Sequence, residues 1–103
     1  MARRLNYREI CDALRERQPF EGNSMWADYA DTQRTLSVGR MDSLDAAWFR
    51  NDQQAAHDAL QSFYVVYSYG TPIAWAYGDT VRIPDAKYSV TTSKQQTYAR
   101  AYL

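Results

Sequence analysis

The sequence predicts an α+β fold in which an antiparallel meander of three to four strands packs against an N-terminal helix, a central helical segment and a short C-terminal helix. Two observations predict this class. Apolar residues recur at helical spacing near both ends and in the middle of the chain, whereas between residues 63 and 83 they alternate with period two. Turn-forming Gly and Pro separate the alternating segments, as in hairpins. A chain of 103 residues has the size of one domain, so residues 1–103 are expected to share one core.

The first helix is predicted from Tyr7 to Arg17. Asn6 and Glu9 have the spacing of a capping box, and an apolar stripe follows on one helical face, at Tyr7, Ile10, Cys11 and Leu14. Cys11 is the only cysteine, which excludes an intramolecular disulfide and a cysteine zinc site. We interpret it as a small buried hydrophobe.

The stretch after Pro19 shows no clean period. A turn signal at Gly22-Asn23 and an aromatic pair, Trp26 and Tyr29, favour a loop with at most one helical turn over residues 19–33. Residues 34–41 are compatible with a short strand because Leu36 and Val38 alternate, but helix and loop stay open for residues 28–42.

A central helix is predicted from Leu44 to Gln61 after an N-cap at Ser43, either continuous or broken near Asn51. We assign its carboxylates to a solvated face, namely Asp42, Asp45, Asp52 and Asp58. His57, the only histidine, is interpreted as a surface residue because no nucleophile or acid shares its helical face.

The sheet follows. Three alternating segments are Phe63–Tyr69, Ile73–Tyr77 and Val81–Ile83, and their connections carry turn residues at Gly70–Pro72 and Gly78–Asp79. Residues 87–91 form a fourth strand or an extended connector. Helices are expected to bury one face of this sheet.

The last helix is predicted from Ser93 to about Tyr102, with Thr92 and Gln95 as a second capping box. The junction from Thr91 to Lys94 places hydroxyls and one ammonium group at a helix N-terminus, where backbone N–H groups favour an anion. Capping alone also recruits Ser and Thr, so a purely structural junction is the simpler interpretation.

Composition argues against several functions. The net charge is zero, which disfavours non-specific nucleic-acid binding, and no Arg or Lys lies between Phe63 and Thr80 to support base stacking on the aromatic strands. No catalytic or metal-binding constellation appears, and no cofactor motif. The N-terminus lacks the apolar core of a signal peptide and no stretch could cross a membrane, so we expect a soluble cytoplasmic protein.

Three stretches are distinctive as a set: "PFEGNSMWA" (19–27), "YVVYSYGTPIAWA" (64–76) and "KYSVTTSKQQ" (87–96). Together they resemble small uncharacterised proteins encoded by tailed phages of actinobacteria. The resemblance implies action in the cytoplasm of a bacterial host, as an accessory protein without established activity. Related sequences often carry His after the junction lysine, where this chain has Gln95, and this departure weakens an enzymatic interpretation further.

The sequence therefore favours a non-enzymatic phage accessory protein that binds a host or phage macromolecule, most simply a protein, through an aromatic and hydroxyl-rich surface. Its candidate contacts are Asn23, Ser24, Tyr69, Thr71, Trp75, Tyr88, Thr91, Ser93 and Lys94. They form one site only if the turn near residue 23, the turn near residue 70 and the Thr91–Lys94 junction meet at one end of the sheet.

Two alternatives stay open. A small anion- or nucleic-acid-binding module would use the helix N-terminus with four cations, namely Arg82, Lys87, Lys94 and Arg100. A homodimer would instead cover the aromatic surface by self-association.

Overall fold

The computed structural model of the chain describes residues 6–22, 24–85 and 90–103. Over these ranges the elements are, in chain order, α1 (Tyr7–Arg15), β1 (Phe20–Glu21), β2 (Met25–Ala30), α2 (Ser43–Asp58), β3 (Phe63–Ser68), β4 (Thr71–Tyr77), β5 (Thr80–Arg82) and α3 (Val90–Tyr102). The strands form one antiparallel sheet in the order β1-β2-β3-β4-β5. The predicted α+β meander with three helices is thus confirmed, with five strands instead of three to four.

The two additional strands come from the segment predicted as loop. In β2 the buried Met25 and Ala27 alternate with the exposed Trp26 and Asp28, and all six residues of β2 pair with β3. Of the alternatives left open for residues 34–41, the short strand does not form and the loop does. There Leu36 and Val38 instead pack as half-buried loop side chains against the core beside α2.

The sheet is covered on both faces, not on one as predicted. Helices α1 and α3 share one apolar cluster with the sheet, while α2 shares the other. Side chains of β3 alternate between the two clusters, with Tyr64 and Val66 on the α1/α3 side and Phe63 and Val65 on the α2 side. All six residues of β3 are buried. This double burial explains why β3 reads as a nearly continuous apolar run.

Local capping sets the helix ends. The predicted Asn6–Glu9 capping box of α1 is present, with Glu9 N donating to Asn6 Oδ1 at 3.0 Å. Helix α2 is unbroken at Asn51, and its N-cap is Asp42, not Ser43, because the Asp42 carboxylate accepts the Asp45 N–H at 2.8 Å.

Both α1 and α2 end in the pattern of a Schellman motif. Arg17 and Leu60 follow the C-caps with φ near +51° and +54°, where glycine is the usual residue. The next residues, Gln18 and Gln61, donate backbone N–H groups to Ala13 O and Ala56 O.

The α3 helix begins earlier than predicted, at Val90, so Thr92 lies inside the helix. The Thr92 hydroxyl is 3.1 Å from Ser68 Oγ, and the Gln95 amide donates to Ser24 Oγ at 2.8 Å. Thr92 and Gln95 therefore connect α3 to the sheet, and the predicted capping box is wrong. The predicted strand or connector over residues 87–91 lies outside the described residues up to residue 89, and Val90 and Thr91 belong to α3.

Candidate interaction surface

One end of the sheet gathers the start of β2, the β3–β4 turn and the first turns of α3. Tyr69 N donates to Ser24 O at 3.0 Å, and Ser24 Oγ accepts from Gln95 of α3. Ser68, the last residue of β3, contacts Thr92. We call this region, with Ser24, Tyr69, Ser93 and Lys94 as its accessible side chains, the turn end. The predicted site requires three chain segments to meet at one end of the sheet. Here the start of β2, the β3–β4 turn and the first turns of α3 do meet.

The candidate contact residues differ in accessibility. Tyr69 is 70% exposed and Lys94 is exposed, whereas Ser24 and Ser93 are half-buried. Thr71 is buried, and its hydroxyl accepts the Arg40 N–H at 2.9 Å, so it holds the 31–42 loop instead of facing a partner. Asn23, Tyr88 and the Thr91 side chain lie outside the described residues.

Trp75 does not lie on the surface, and its place among the contacts is corrected. It is fully buried, with its indole N–H donating to Asp52 Oδ2 at 2.7 Å. Tyr77 donates to the other carboxylate oxygen at 2.7 Å, and Arg82 Nε lies 3.3 Å from Asp52 Oδ2. Burial, followed by the hydrogen bond to Asp52, raises the pKa of Tyr77. Asp52 is thus a buried anchor of α2 on β4 and β5, not a solvated carboxylate as predicted.

The most exposed aromatic residue of the turn end has an unusual backbone. Tyr69 and Gly70 form the two-residue loop between Ser68 and Thr71, and both have positive φ, at 50° and 81°. This is the pattern of a type I′ turn, whose first position favours Asn, Asp or Gly. A tyrosine there costs on the order of 1 kcal/mol in backbone strain. The predicted turn at Gly70–Pro72 is therefore displaced, since Thr71 and Pro72 already belong to β4.

Among the described residues, the cations of the alternative anion site are not gathered. Arg82 lies on the α2 side of the sheet beside Asp52, and Arg100 lies 3.9 Å from Asp85. Lys87 is outside the described residues, which leaves Lys94 as the exposed cation on α3 near the turn end. The Gln95 amide donates to Ser24 Oγ, so this position joins α3 to the start of β2.

Two features of the described residues bear on metal binding and on the single histidine. Across residues 6–22, 24–85 and 90–103, no group of three or more His, Cys, Asp or Glu is placed to hold a metal ion. His57 is half-buried, with Nδ1 3.1 Å from Thr32 Oγ1. Within the same part of the chain, no helix is long and apolar enough to cross a membrane.

Sequence reasoning missed the residues of β1 and β2 that lie beside the turn end. Trp26 is 42% exposed and stacks on Tyr67, with ring centroids 4.1 Å apart and ring planes 12° from parallel. The alternation of Met25 and Ala27 with Trp26 and Asp28 is the signal that could have revealed this strand.

Comparison with protein families matches most of the chain. The model of a family of unknown function, DUF8033, matches residues 13–98, which span α1 from Ala13, the whole sheet and most of α3. No curated protein and no solved structure matches the chain.

Proposed function

This chain belongs to DUF8033, a family of unknown function, and we propose that it is a non-enzymatic binding module that contacts a protein partner through the turn end. The contacts would come from Tyr69 and Lys94, with the half-buried Ser24 and Ser93 beside them. Tyrosine is enriched at the centres of protein interfaces because its large ring carries a polar tip and loses little conformational freedom on binding.

The observation that supports this proposal is an exposed aromatic ring on a strained backbone at the end of the sheet where three chain segments meet. Leu60 is as strained and as exposed, but it lies outside the turn end and carries no ring. The ring is 70% exposed, so it contributes little to the core, while the left-handed backbone disfavours a tyrosine at this position. Strained backbone is concentrated at sites where function selects the side chain. A contact to a partner explains a large exposed ring at a position that Asn would occupy at lower cost.

The phage origin and the bacterial host in this proposal are inferred from the resemblance to small proteins of tailed phages of actinobacteria. On that basis, the partner is a host or phage protein in the bacterial cytoplasm, and the chain is a phage accessory protein. The resemblance rests on residues 19–27, 64–76 and 87–96, and the last of these includes the Lys94 junction.

The test is capture of a partner by the tagged chain from lysate of an actinobacterial host, after nuclease treatment and at two salt concentrations. Wild type is compared with Tyr69→Asn, which suits a type I′ turn and removes only the ring. We expect one protein to be captured in stoichiometric amount by wild type and lost with Tyr69→Asn.

Leu60→Asn is the matched control. Leu60 is 93% exposed, has φ near +54° and precedes β3, so it lies at the opposite end of that strand from Tyr69. Capture should survive Leu60→Asn. Equal capture by Tyr69→Asn and wild type would contradict the proposal.

Two other outcomes favour the alternatives. Recovery of nucleic acid alone, lost at high salt and with Lys94→Ala, would favour an anion-binding module instead. A concentration-dependent dimer that Tyr69→Asn dissociates, with no other protein captured, would make a second copy the occupant of the turn end.

A further inference from the structure

Helix α2 covers one face of the sheet only in part. Over β1 and β2 this face is exposed to solvent. Trp26 is 42% exposed there, and Glu21 and Asp28 are exposed. We call these three residues the acidic tryptophan face. It is separate from Tyr69, and none of its side chains was a candidate contact in the sequence.

Strand pairing fixes the arrangement of the three side chains. Trp26 pairs in register with Glu21 of β1 and with Tyr67 of β3, and paired residues point to the same face of an antiparallel sheet. Asp28 follows Trp26 by two residues and shares that face. One face of the indole thus stacks on Tyr67. Glu21 lies beside the indole on the neighbouring strand β1, and Asp28 lies two residues further along β2.

No cation of the described residues compensates these carboxylates. Within the described ranges of the chain, neither Glu21 nor Asp28 has an ion-pair partner, and one oxygen of Asp28 accepts the Tyr29 N–H at 2.7 Å. Burial raises the pKa of Tyr67, and the charge of Asp28 raises it further. The negative charge of Asp28 therefore acts on Tyr67, the ring on which Trp26 stacks.

The face borders a cleft that could admit a side chain. The cleft has a volume of about 390 Å³ and is lined by Pro19, Phe20, Glu21, Trp26, Ala27 and Asp28. Its apolar lining suits the methylene stem of a long cationic residue, and the two carboxylates suit a charged head.

We propose that the acidic tryptophan face binds an arginine side chain in a basic segment of a partner protein. The guanidinium group would stack on the open part of the Trp26 ring and donate hydrogen bonds to Glu21 and Asp28. Arginine fits better than lysine because its planar group stacks on aromatic rings and donates in a fork to carboxylates.

The protein contains the same combination internally. On the α2 side, the Arg82 guanidinium carbon lies 5.4 Å from the centre of the Trp48 ring, and Arg82 Nε lies 3.3 Å from the Asp52 carboxylate. The acidic tryptophan face presents the ring and the carboxylates of such a set without the arginine. By comparison with the Arg82 set, both the charge and the planar shape of a guanidinium group suit this face.

The experiment uses the full chain and a defined probe, the blocked peptide Gly-Arg-Gly-Arg-Gly, titrated at low ionic strength. The readout is the NMR signal of each tryptophan indole N–H, with the Trp26 signal identified by its loss in Trp26→Phe. We expect the peptide to shift the Trp26 signal and to leave the buried Trp75 signal in place. The double variant Glu21→Gln/Asp28→Asn should bind at least about tenfold more weakly.

A charge-matched control separates a specific site from general attraction. Asp12→Asn/Glu16→Gln removes two exposed carboxylates from α1 and its C-cap and should bind as wild type does. The lysine analogue of the peptide should bind several-fold more weakly than the arginine peptide. Absence of a Trp26 shift, equal loss in the control, or equal affinity for the lysine peptide would each overturn the proposal.

The inference does not depend on the turn end. Tyr69→Asn should bind the arginine peptide with wild-type affinity. The two proposals are therefore tested by different variants, Tyr69→Asn for the turn end and Glu21→Gln/Asp28→Asn for the acidic tryptophan face.

Discussion

At the scale of single residues, Asp52 was predicted to be a solvated carboxylate and is buried. It belongs to a polar stretch of α2 with Asn51, Gln53 and Gln54, although it lies three residues after Phe49 and four before Ala56, on the face that those buried residues share. Its partners, Trp75, Tyr77 and Arg82, are 23 or more residues away in the sequence. The hydrogen-bond partners of this carboxylate can be recognised only once those strands are placed beside the helix.

Asp52→Asn should lower the free energy of unfolding by about 1–3 kcal/mol. The amide can accept one of the two hydrogen bonds but carries no charge to pair with Arg82. Because Arg82 is partly exposed, the ionic part of the loss should be modest. Urea unfolding followed by tryptophan fluorescence measures it.

Asp58→Asn is the matched control, since Asp58 is exposed on the same helix and contacts Gln54. It should change stability by less than about 0.5 kcal/mol. A loss of equal size in both variants would contradict a specific anchoring role for Asp52.

At the scale of elements, the loop between β2 and α2 is held by close backbone contacts. A Cβ atom on Gly39 would overlap Thr71 Oγ1 and the Gly70 carbonyl, and Gly39 has φ near +53°. The Gln53 amide also donates to Asp31 O and Arg34 O, at 3.1 and 2.6 Å. The loop is thus fixed at both of its ends without any strand.

Gly39→Ala should be more destabilising than Gly70→Ala. Both positions have positive φ, which costs an alanine about 1–2 kcal/mol, but a Cβ on Gly70 meets open space. The difference between the two variants in chemical unfolding isolates the contact with Thr71. Equal losses would mean that the loop moves aside freely.

Elements defined by local interactions could be predicted, and elements defined by distant pairing could not. The α1 capping box lies within four residues, and two-residue turns separate β3, β4 and β5. All of these elements can therefore be predicted from neighbouring residues in the sequence. β2 pairs with β3 across more than 30 residues of chain, and β1 is only two residues long. The start of α3 was misplaced because Thr92 and Gln95 look like caps and instead bind Ser68 and Ser24.

At the scale of the whole molecule, tyrosine hydroxyls connect the end of α1 to the sheet. The fully buried Tyr64 donates to Gln18 O at 2.7 Å, and Tyr29 donates to Arg17 O at 2.5 Å. Arg17 Nη1 in turn donates to Gly78 O, in the β4–β5 turn, at 2.8 Å. These contacts hold α1 against both halves of the meander.

The protein should lose stability at alkaline pH. Burial, above all, raises the pKa of Tyr64, so the folded state favours the neutral phenol and the unfolded state releases its proton first. The contribution is complete below the ordinary tyrosine pKa of about 10 and declines above it, by up to about 1.4 kcal/mol per pH unit for one linked proton. Unfolding free energies measured between pH 8 and 11 test this.

Tyr64→Phe is the comparison for that pH series. It should be less stable than wild type at pH 8, because Gln18 O loses its donor, and should show a shallower decline above pH 10. Parallel declines in the two proteins would exclude Tyr64 as the linked group.

The candidate site was predictable in part because it lies at element ends. Polar residues at the two turns and at the start of α3 indicated that these segments could meet, and Ser24, Tyr69 and Gln95 show the contacts. Alternation alone could not separate the buried Trp75 from an exposed aromatic residue, since α2 covers its face of β4. The acidic tryptophan face was missed because it requires the pairing of β1 with β2.

The central claim is that Tyr69 is kept for a contact outside the chain, at a cost to the fold. Its most direct test is the unfolding free energy of Tyr69→Asn, measured beside wild type and Leu60→Asn. We expect both variants to be more stable than wild type, by about 0.5–1 kcal/mol, because Asn adopts a left-handed backbone more readily than Tyr or Leu. A clear loss of stability in Tyr69→Asn, with the gain kept in Leu60→Asn, would show that the ring supports the fold and would contradict the claim.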